Sequence, residues 1–164
     1  MPNLRTILSI VVISLVQALV LNHVHLLHYA TPMLIVYPLL FLRSDTPLWA
    51  LPCIGFAIGL FNDMFTNTPG IGAFSLTAVA MMRPRALALC TQREDEEPYS
   101  PSRNTLGNVS YLLYATLLAT AFCLIYYTIE AFTLFHWGLW LVGIVGSSLF
   151  TIALIMAIES VRKK

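Results

Sequence analysis

Charged residues are scarce in this sequence of 164 residues. Lys, Arg, Asp and Glu make up 10% of it, whereas an average soluble domain contains roughly 25%. Hydrophobic residues make up 58%, and a soluble globule of that composition would lack the polar groups needed to cover its surface. The composition therefore excludes a soluble enzyme domain and predicts an integral membrane protein.

Several kinds of functional pattern are also missing. The net charge is only +1, so we expect no basic surface for nucleic acid. The three cysteines, Cys53, Cys90 and Cys123, have no spacing typical of a zinc site or a disulfide framework. No P-loop, GxGxxG, HExxH or GxSxG pattern occurs. We therefore expect neither an enzyme nor a bound cofactor.

Apolar runs dominate what remains. A membrane-spanning helix uses about 20 residues, so six such helices would use roughly 120. The sequence predicts a single all-α polytopic membrane domain over residues 1–164, with six transmembrane helices. The approximate spans are 4–22, 29–42, 47–63, 70–89, 108–130 and 137–159.

The second run differs from the others because it is short. Its 14 residues reach only about 21 Å as an α-helix, less than the ~30 Å hydrocarbon core. Pro38 lies inside the run and should kink it. Two interpretations stay open: a short, kinked span packed against its neighbours, which we favour, and a re-entrant segment.

Turn residues set the predicted helix ends. Thr46 should cap the third helix, with Pro47 at its first position. Pro84 should bend the last turns of the fourth helix, which we expect to leave the hydrocarbon near Arg83 and Arg85. Asn108 suits the cap of the fifth helix better than a glycosylation site. The polar loop at 90–107 is predicted to be flexible and cytoplasmic, with a docking patch at 94–97 as the alternative to a solvated acidic stretch.

The positive charges indicate the orientation. With six spans, all nine Lys and Arg residues fall on the side that holds both termini: Arg5, Arg43, Arg83, Arg85, Arg93, Arg103, Arg162, Lys163 and Lys164. The positive-inside rule therefore predicts that both termini lie in the cytoplasm.

The third and fourth runs contain the most informative motif. Gly55 and Gly59 form a GxxxG pattern, which lets another helix approach closely; internal packing is the favoured role and a partner interface the alternative. Asp63 ends the third run. A carboxylate there must be solvated or paired, so we favour a water-exposed turn over a partner-binding or ion-linked role.

Histidines and the last helix offer weaker candidates. His25, His28 and His136 fall on the outer side and could hold a metal with Asp63 or Glu130, but interfacial histidines are the favoured interpretation. In the last run, the small-residue face of Gly143 and Ser147 is expected to pack internally. Glu159 should be solvated beside Arg162 and Lys163.

The pattern Gly55-x3-Gly59-Leu60-x2-Asp63-x6-Gly70-x-Gly72 resembles the rod shape-determining protein MreD family. The resemblance rests on residues 52–82 and on the topology of the whole chain. Two departures are the long acidic loop at 91–108 and Met81-Met82-Arg83-Pro84, where the family often has a Tyr/Gly-rich helix end.

The resemblance implies a non-catalytic scaffold of the bacterial elongation machinery in the cytoplasmic membrane. Such a protein helps to organise peptidoglycan synthesis with MreC, MreB, RodA and a penicillin-binding transpeptidase. Gly55, Gly59, Asp63, Gly70 and Gly72 would shape the family-specific surface, and lipid would surround the helices.

One alternative comes from the similar architecture of energy-coupling-factor transporters. Their substrate-binding subunits also have six helices, and they dock through an AxxxA pattern in the first helix. Residues 7–20 contain no such alanine pair, which disfavours a vitamin or small-molecule transporter. A membrane-embedded enzyme ranks last, because few convergent acids or nucleophiles are present.

Overall fold

The structure, a computed structural model, describes residues 33–66, 68, 70–91, 99–131 and 137–162. This part of the chain contains helices and no strands. A 3-10 turn at Leu34–Val36 leads into α1 (Tyr37–Leu40). The other helices are α2 (Ala50–Thr66), α3 (Ile71–Cys90), α4 (Arg103–Leu106), α5 (Asn108–Glu130) and α6 (Trp137–Arg162).

Three of the described helices are long and apolar enough to cross a membrane. They lie at Ile71–Cys90, Asn108–Glu130 and Trp140–Ser160, and the shorter apolar helix α2 has 17 residues. Many of their large apolar side chains are exposed, as expected for helices that face lipid. The all-helical class and the membrane character are thus supported. The predicted first span, 4–22, lies outside the described residues.

The helices pack in the order α2, α3, α5, α6. The central pair, α3 and α5, supplies much of the core, including Leu76, Val79, Leu118 and Phe122, all at most 1% exposed. The 3-10 turn before α1 contacts α2, α5 and α6. Residues 33–40 are therefore buried on every side.

The described part of the second run is short and irregular. The 3-10 turn and α1 together extend about 12 Å. Pro38 lies in the first turn of α1, where its missing N–H removes no helical hydrogen bond. The irregular part is the 3-10 turn that comes before α1. The segment is enclosed by protein instead of facing lipid, and residues 29–32 of the predicted span lie outside the described residues.

Helix α2 begins later than predicted. Thr46 does not cap it: the Thr46 Oγ1 donates a hydrogen bond back to the Arg43 carbonyl at 2.8 Å, and the helix starts at Ala50. Leu48 and Trp49 lie in the turn before it and are 72% and 74% exposed. The Ala50 N–H donates to the Pro47 carbonyl at 2.9 Å, so these residues form a turn before the helix.

Residues 99–107 of the polar loop include the short helix α4 and several hydrogen bonds. Ser102 and Thr105 form a capping box around α4. The Ser44 N–H donates to the Tyr99 carbonyl at 2.9 Å, and the Tyr99 N–H donates to the Ser44 Oγ at 3.1 Å. Asn108 does not cap α5 with its side chain, since Gly107 occupies that position with φ +84°.

Candidate functional site: buried charges at helix ends

Asp63 lies in the last turn of α2 and is only 4% exposed. Its carboxylate accepts three backbone hydrogen bonds from the start of α3. Oδ2 accepts from the N–H of Gly70 at 3.1 Å and of Ala73 at 3.0 Å, and Oδ1 accepts from the N–H of Gly72 at 2.9 Å. Both oxygens are thus used within the chain.

This arrangement satisfies a physical need at the start of α3. The first N–H groups of a helix have no partner within it, and the helix dipole makes that end favourable for a negative charge. The Asp63 carboxylate supplies the acceptors and the charge from the preceding helix. The favoured expectation of a water-exposed Asp63 is therefore wrong: the carboxylate is buried because α3 provides its hydrogen-bond donors.

Two glycines make room for this cap. Gly70 has φ +91°, a conformation that side chains with a Cβ rarely adopt. A Cβ on Gly72 would lie 2.3 Å from the Asp63 Oδ1. The spacing Asp63-x6-Gly70-x-Gly72 thus describes one local structure, a turn followed by a helix that is capped from the preceding one.

The two glycines of the GxxxG pattern also face α3. A Cβ on Gly55 would lie 2.8 Å from the Leu76 carbonyl oxygen, and one on Gly59 would lie 2.5 Å from the Ala73 Cα. Because Gly55 meets Leu76 and Gly59 meets Ala73, α2 and α3 run antiparallel. All five motif residues therefore belong to one tight contact between α2 and α3.

Arg83, in α3, is a second buried charge that the sequence did not single out. It is 1% exposed, whereas Arg85 on the same helix is exposed. Its Nη2 donates to the carbonyl of Leu42, two residues beyond α1. Helix α3 continues through Pro84 to Cys90.

The roles of the two charges are complementary. Asp63 places a negative group at the start of α3, which matches the sign of the helix dipole at that end. Arg83 donates to the Leu42 carbonyl, which lies beyond α1. The Arg83-Pro84-Arg85 sequence shows two nearby positive charges. It does not show which arginine is buried, because that depends on the position of Leu42.

Glu159, in α6, is also buried, at 6% exposure, so the prediction of a solvated terminal carboxylate is wrong. Its Oε2 accepts from the Tyr37 hydroxyl at 3.3 Å, and its Oε1 accepts from the backbone N–H of Arg103 at 3.5 Å. Glu159 thereby joins α1, α4 and α6, whose sequence positions are far apart.

The small-residue face of α6 is also internal. Gly143 and Ser147 are buried, and the Ser147 and Tyr127 hydroxyls are 2.7 Å apart. One turn further along, the Thr151 Oγ1 accepts from the Met33 N–H at 3.0 Å. These polar atoms tie the segment before α1 and helix α5 to α6.

The histidine candidates His25, His28 and His136 lie outside the described residues. Within the part of the chain that the structure describes, no group of three or more His, Cys, Asp or Glu side chains is placed to hold a metal. The same part contains one salt bridge, Arg43–Asp45, at 3.2 Å on the surface.

The chain was compared with models of protein families, with curated proteins and with solved structures, and none of the three comparisons found a match. The function of the protein must therefore be inferred from the geometry of its described residues.

Proposed function

We propose that this protein is a non-catalytic membrane scaffold of the bacterial cell-elongation machinery, similar to the MreD family. In this proposal it lies in the cytoplasmic membrane with both termini inside. It helps to organise peptidoglycan synthesis and to maintain rod shape through helix contacts with MreC, and it works with MreB, RodA and a penicillin-binding transpeptidase.

The observation that carries the proposal is the use made of the family-like motif. Gly55, Gly59, Asp63, Gly70 and Gly72 all act on the contact between α2 and α3. A motif that fixes the distance and angle between two helices favours a scaffold, which needs a defined surface for its partners. It disfavours a protein whose motif holds a substrate or carries out a reaction.

The buried charges support a non-catalytic role. Asp63 accepts from three backbone N–H groups, Arg83 donates to a backbone carbonyl, and Glu159 accepts from the Tyr37 hydroxyl and the Arg103 backbone N–H. An intramembrane charge is a candidate functional group by default, because its burial costs free energy. Here each of the three makes at least one hydrogen bond within the chain.

Helix α2 also offers a surface for a partner. Phe56, Leu60 and Met64 recur every four residues and are 51%, 45% and 79% exposed. They form an apolar ridge, which we call the α2 ridge. Because the glycines hold the other face of α2 against α3, the ridge has a fixed position, as a scaffold that recognises a partner helix requires.

The test is complementation in the source bacterium after depletion of the protein. We expect wild type to restore rod shape and to copurify with MreC. Phe56→Ala combined with Leu60→Ala should reduce copurification at least about tenfold, the loss given by roughly 1.4 kcal/mol of contact energy. The matched control, Leu113→Ala with Leu117→Ala, alters exposed leucines of α5 and should behave as wild type.

Two results would contradict the scaffold. One is a depleted strain that keeps its rod shape without the protein. The other is a vitamin-sized ligand retained by the purified protein in native mass spectrometry, which would favour the transporter. Equal membrane levels of all variants, measured by immunoblot, separate a lost contact from a lost fold.

A further inference from the structure

Arg85, the exposed arginine of α3, has apolar surroundings on the surface of that helix. Residues three and four positions away lie beside a given residue on a helix surface. For Arg85 these four neighbours are all apolar and all exposed: Met81, Met82, Ala88 and Leu89. Arg85 therefore lies at the centre of an exposed apolar surface. We call these five residues the Arg85 patch.

The charge of Arg85 has no partner within the described part of the chain. The salt bridge found there joins Arg43 to Asp45, and the Arg85 guanidinium forms no hydrogen bond with a described residue. Arg83, two positions earlier, is buried and donates to the Leu42 carbonyl. A guanidinium stays ionised in proteins and carries five N–H donors. The chain supplies an acceptor for Arg83, whereas the acceptor for Arg85 must come from outside the chain.

The position of the patch along α3 indicates what surrounds it. Helix α3 is long and apolar enough to cross a membrane over Ile71–Cys90, and Arg85 lies five residues before its end. That distance is about 7.5 Å along the helix axis. Leu89, which lies beyond Arg85, is 79% exposed, so the apolar surface of α3 continues past the charge. A lipid leaflet matches this pattern, because it offers acyl chains and charged headgroups side by side.

An arginine near the end of a span is stabilised when its methylene groups lie against acyl chains and its guanidinium reaches the headgroup layer. Phosphate oxygens in that layer accept charge-assisted hydrogen bonds from a guanidinium. The net negative charge of an anionic lipid also balances the charge of Arg85, which a zwitterionic lipid does not do. The predicted orientation places this end of α3 at the cytoplasmic leaflet, whose surface is negative.

We propose that the Arg85 patch is a binding site for an anionic phospholipid. The Arg85 guanidinium binds the headgroup phosphate, and the apolar side chains of the patch contact the acyl chains. The two methionines suit this contact, because their flexible side chains adapt to an acyl chain that has no fixed shape. The site is independent of the scaffold function, since it requires only that α3 lies in a membrane.

Native mass spectrometry of the purified full-length protein tests the proposal by counting retained lipid. Phosphatidylglycerol is the anionic probe, and phosphatidylcholine with the same acyl chains is the zwitterionic comparison. We expect wild type to bind phosphatidylglycerol about fivefold more tightly, the ratio given by the attraction of one arginine to an anionic lipid surface. Arg85→Gln should abolish this preference, and Arg85→Lys should keep part of it, because lysine retains the charge but not the planar fork.

Arg43→Gln is the matched control for Arg85→Gln. It removes an arginine from the same predicted side of the membrane but from outside the patch, where the charge is already paired with Asp45. Its preference for phosphatidylglycerol should stay within about twofold of wild type. In neutral detergent without anionic lipid, the Tm of Arg85→Gln should lie within about 2 °C of wild type, because an exposed side chain without an internal partner contributes little to stability.

Three results would overturn the proposal. The first is that wild type binds the two lipids equally. The second is that Arg43→Gln loses as much of the preference as Arg85→Gln does, since the effect would then reflect net charge alone. The third is that Arg85→Gln keeps its preference for phosphatidylglycerol and loses copurification with MreC, because the acceptor for Arg85 would then be a group on a partner protein.

Discussion

At the scale of single residues, the buried charges make hydrogen bonds to backbone groups that would otherwise have no partner. Helix ends leave N–H and carbonyl groups without partners, and lipid offers no water to satisfy them. Asp63 accepts hydrogen bonds from three such N–H groups, and Arg83 donates one to a carbonyl. A polar side chain in these positions stabilises the fold because the alternative is an unsatisfied backbone in an apolar environment.

The Asp63 cap gives a direct prediction. In Asp63→Asn, one acceptor oxygen becomes an NH2 group that faces a backbone N–H, and the charge at the start of α3 is lost. We expect the free energy of unfolding to fall by about 2–4 kcal/mol. Reversible unfolding of the purified protein in mixed micelles measures this loss.

Asp45 provides the matched control for Asp63. It is an exposed carboxylate that pairs with Arg43 on the surface. Asp45→Asn should change the free energy of unfolding by less than about 1 kcal/mol, because exposed ion pairs contribute little. Equal losses for the two variants would show that the buried cap does not stabilise the protein.

At the scale of helices, the contact between α2 and α3 depends on backbone approach. Gly55 and Gly59 meet backbone atoms of α3, so no side-chain movement can relieve an added methyl group. Part of this contact follows from the sequence, since GxxxG and a turn-rich segment predict a close antiparallel hairpin. The cap does not, because its hydrogen bonds depend on how α3 is set against the end of α2.

Gly59→Ala tests that contact. The new Cβ would lie 2.5 Å from the Ala73 Cα and 2.6 Å from the Gly72 carbonyl oxygen, so the two helices must separate. We expect the free energy of unfolding to fall by about 2–3 kcal/mol. The same unfolding measurement checks it.

A glycine in open space is the comparison for Gly59. A Cβ on Gly138 in α6 would meet no atom within 4 Å. Gly138→Ala should leave stability unchanged or raise it by up to about 1 kcal/mol, because alanine favours the helix. A loss at Gly138 as large as that at Gly59 would mean that the packing argument fails.

At the scale of the whole molecule, the arrangement of charge predicts the topology. Helix α5 has 23 residues, about 35 Å, which exceeds the ~30 Å hydrocarbon core. Asn104 precedes it and Glu130 ends it, and both are exposed. If α5 crosses the membrane as the positive-inside rule predicts, these two positions lie on opposite sides.

Cysteine labelling in whole cells checks this topology. In a chain whose three cysteines are replaced by serine, Asn104→Cys should react with an impermeant maleimide only after lysis. Glu130→Cys should react in intact cells, because it lies at the outer end. Labelling of both positions under the same condition would contradict a spanning α5 in this orientation.

Some of the fold follows from local sequence. The apolar run and its flanking residues predict a helix over 108–130, and α5 occupies those residues. The turn at Pro69-Gly70 predicts the start of α3 within one residue. The start of α2 is displaced to Ala50, because residues 47–50 form a turn, closed by the bond from the Ala50 N–H to the Pro47 carbonyl, that the cap pattern does not reveal.

Local sequence is enough to establish that the chain is helical and suited to a membrane, since the length and apolarity of a run depend only on neighbouring residues. The partners of its buried polar groups, by contrast, depend on how the helices pack. Arg83 meets a carbonyl 41 positions away, and Tyr37 meets Glu159 across 122 positions. Such partners cannot be identified from local pattern, because a buried polar group is satisfied by whatever the packed helices bring to it.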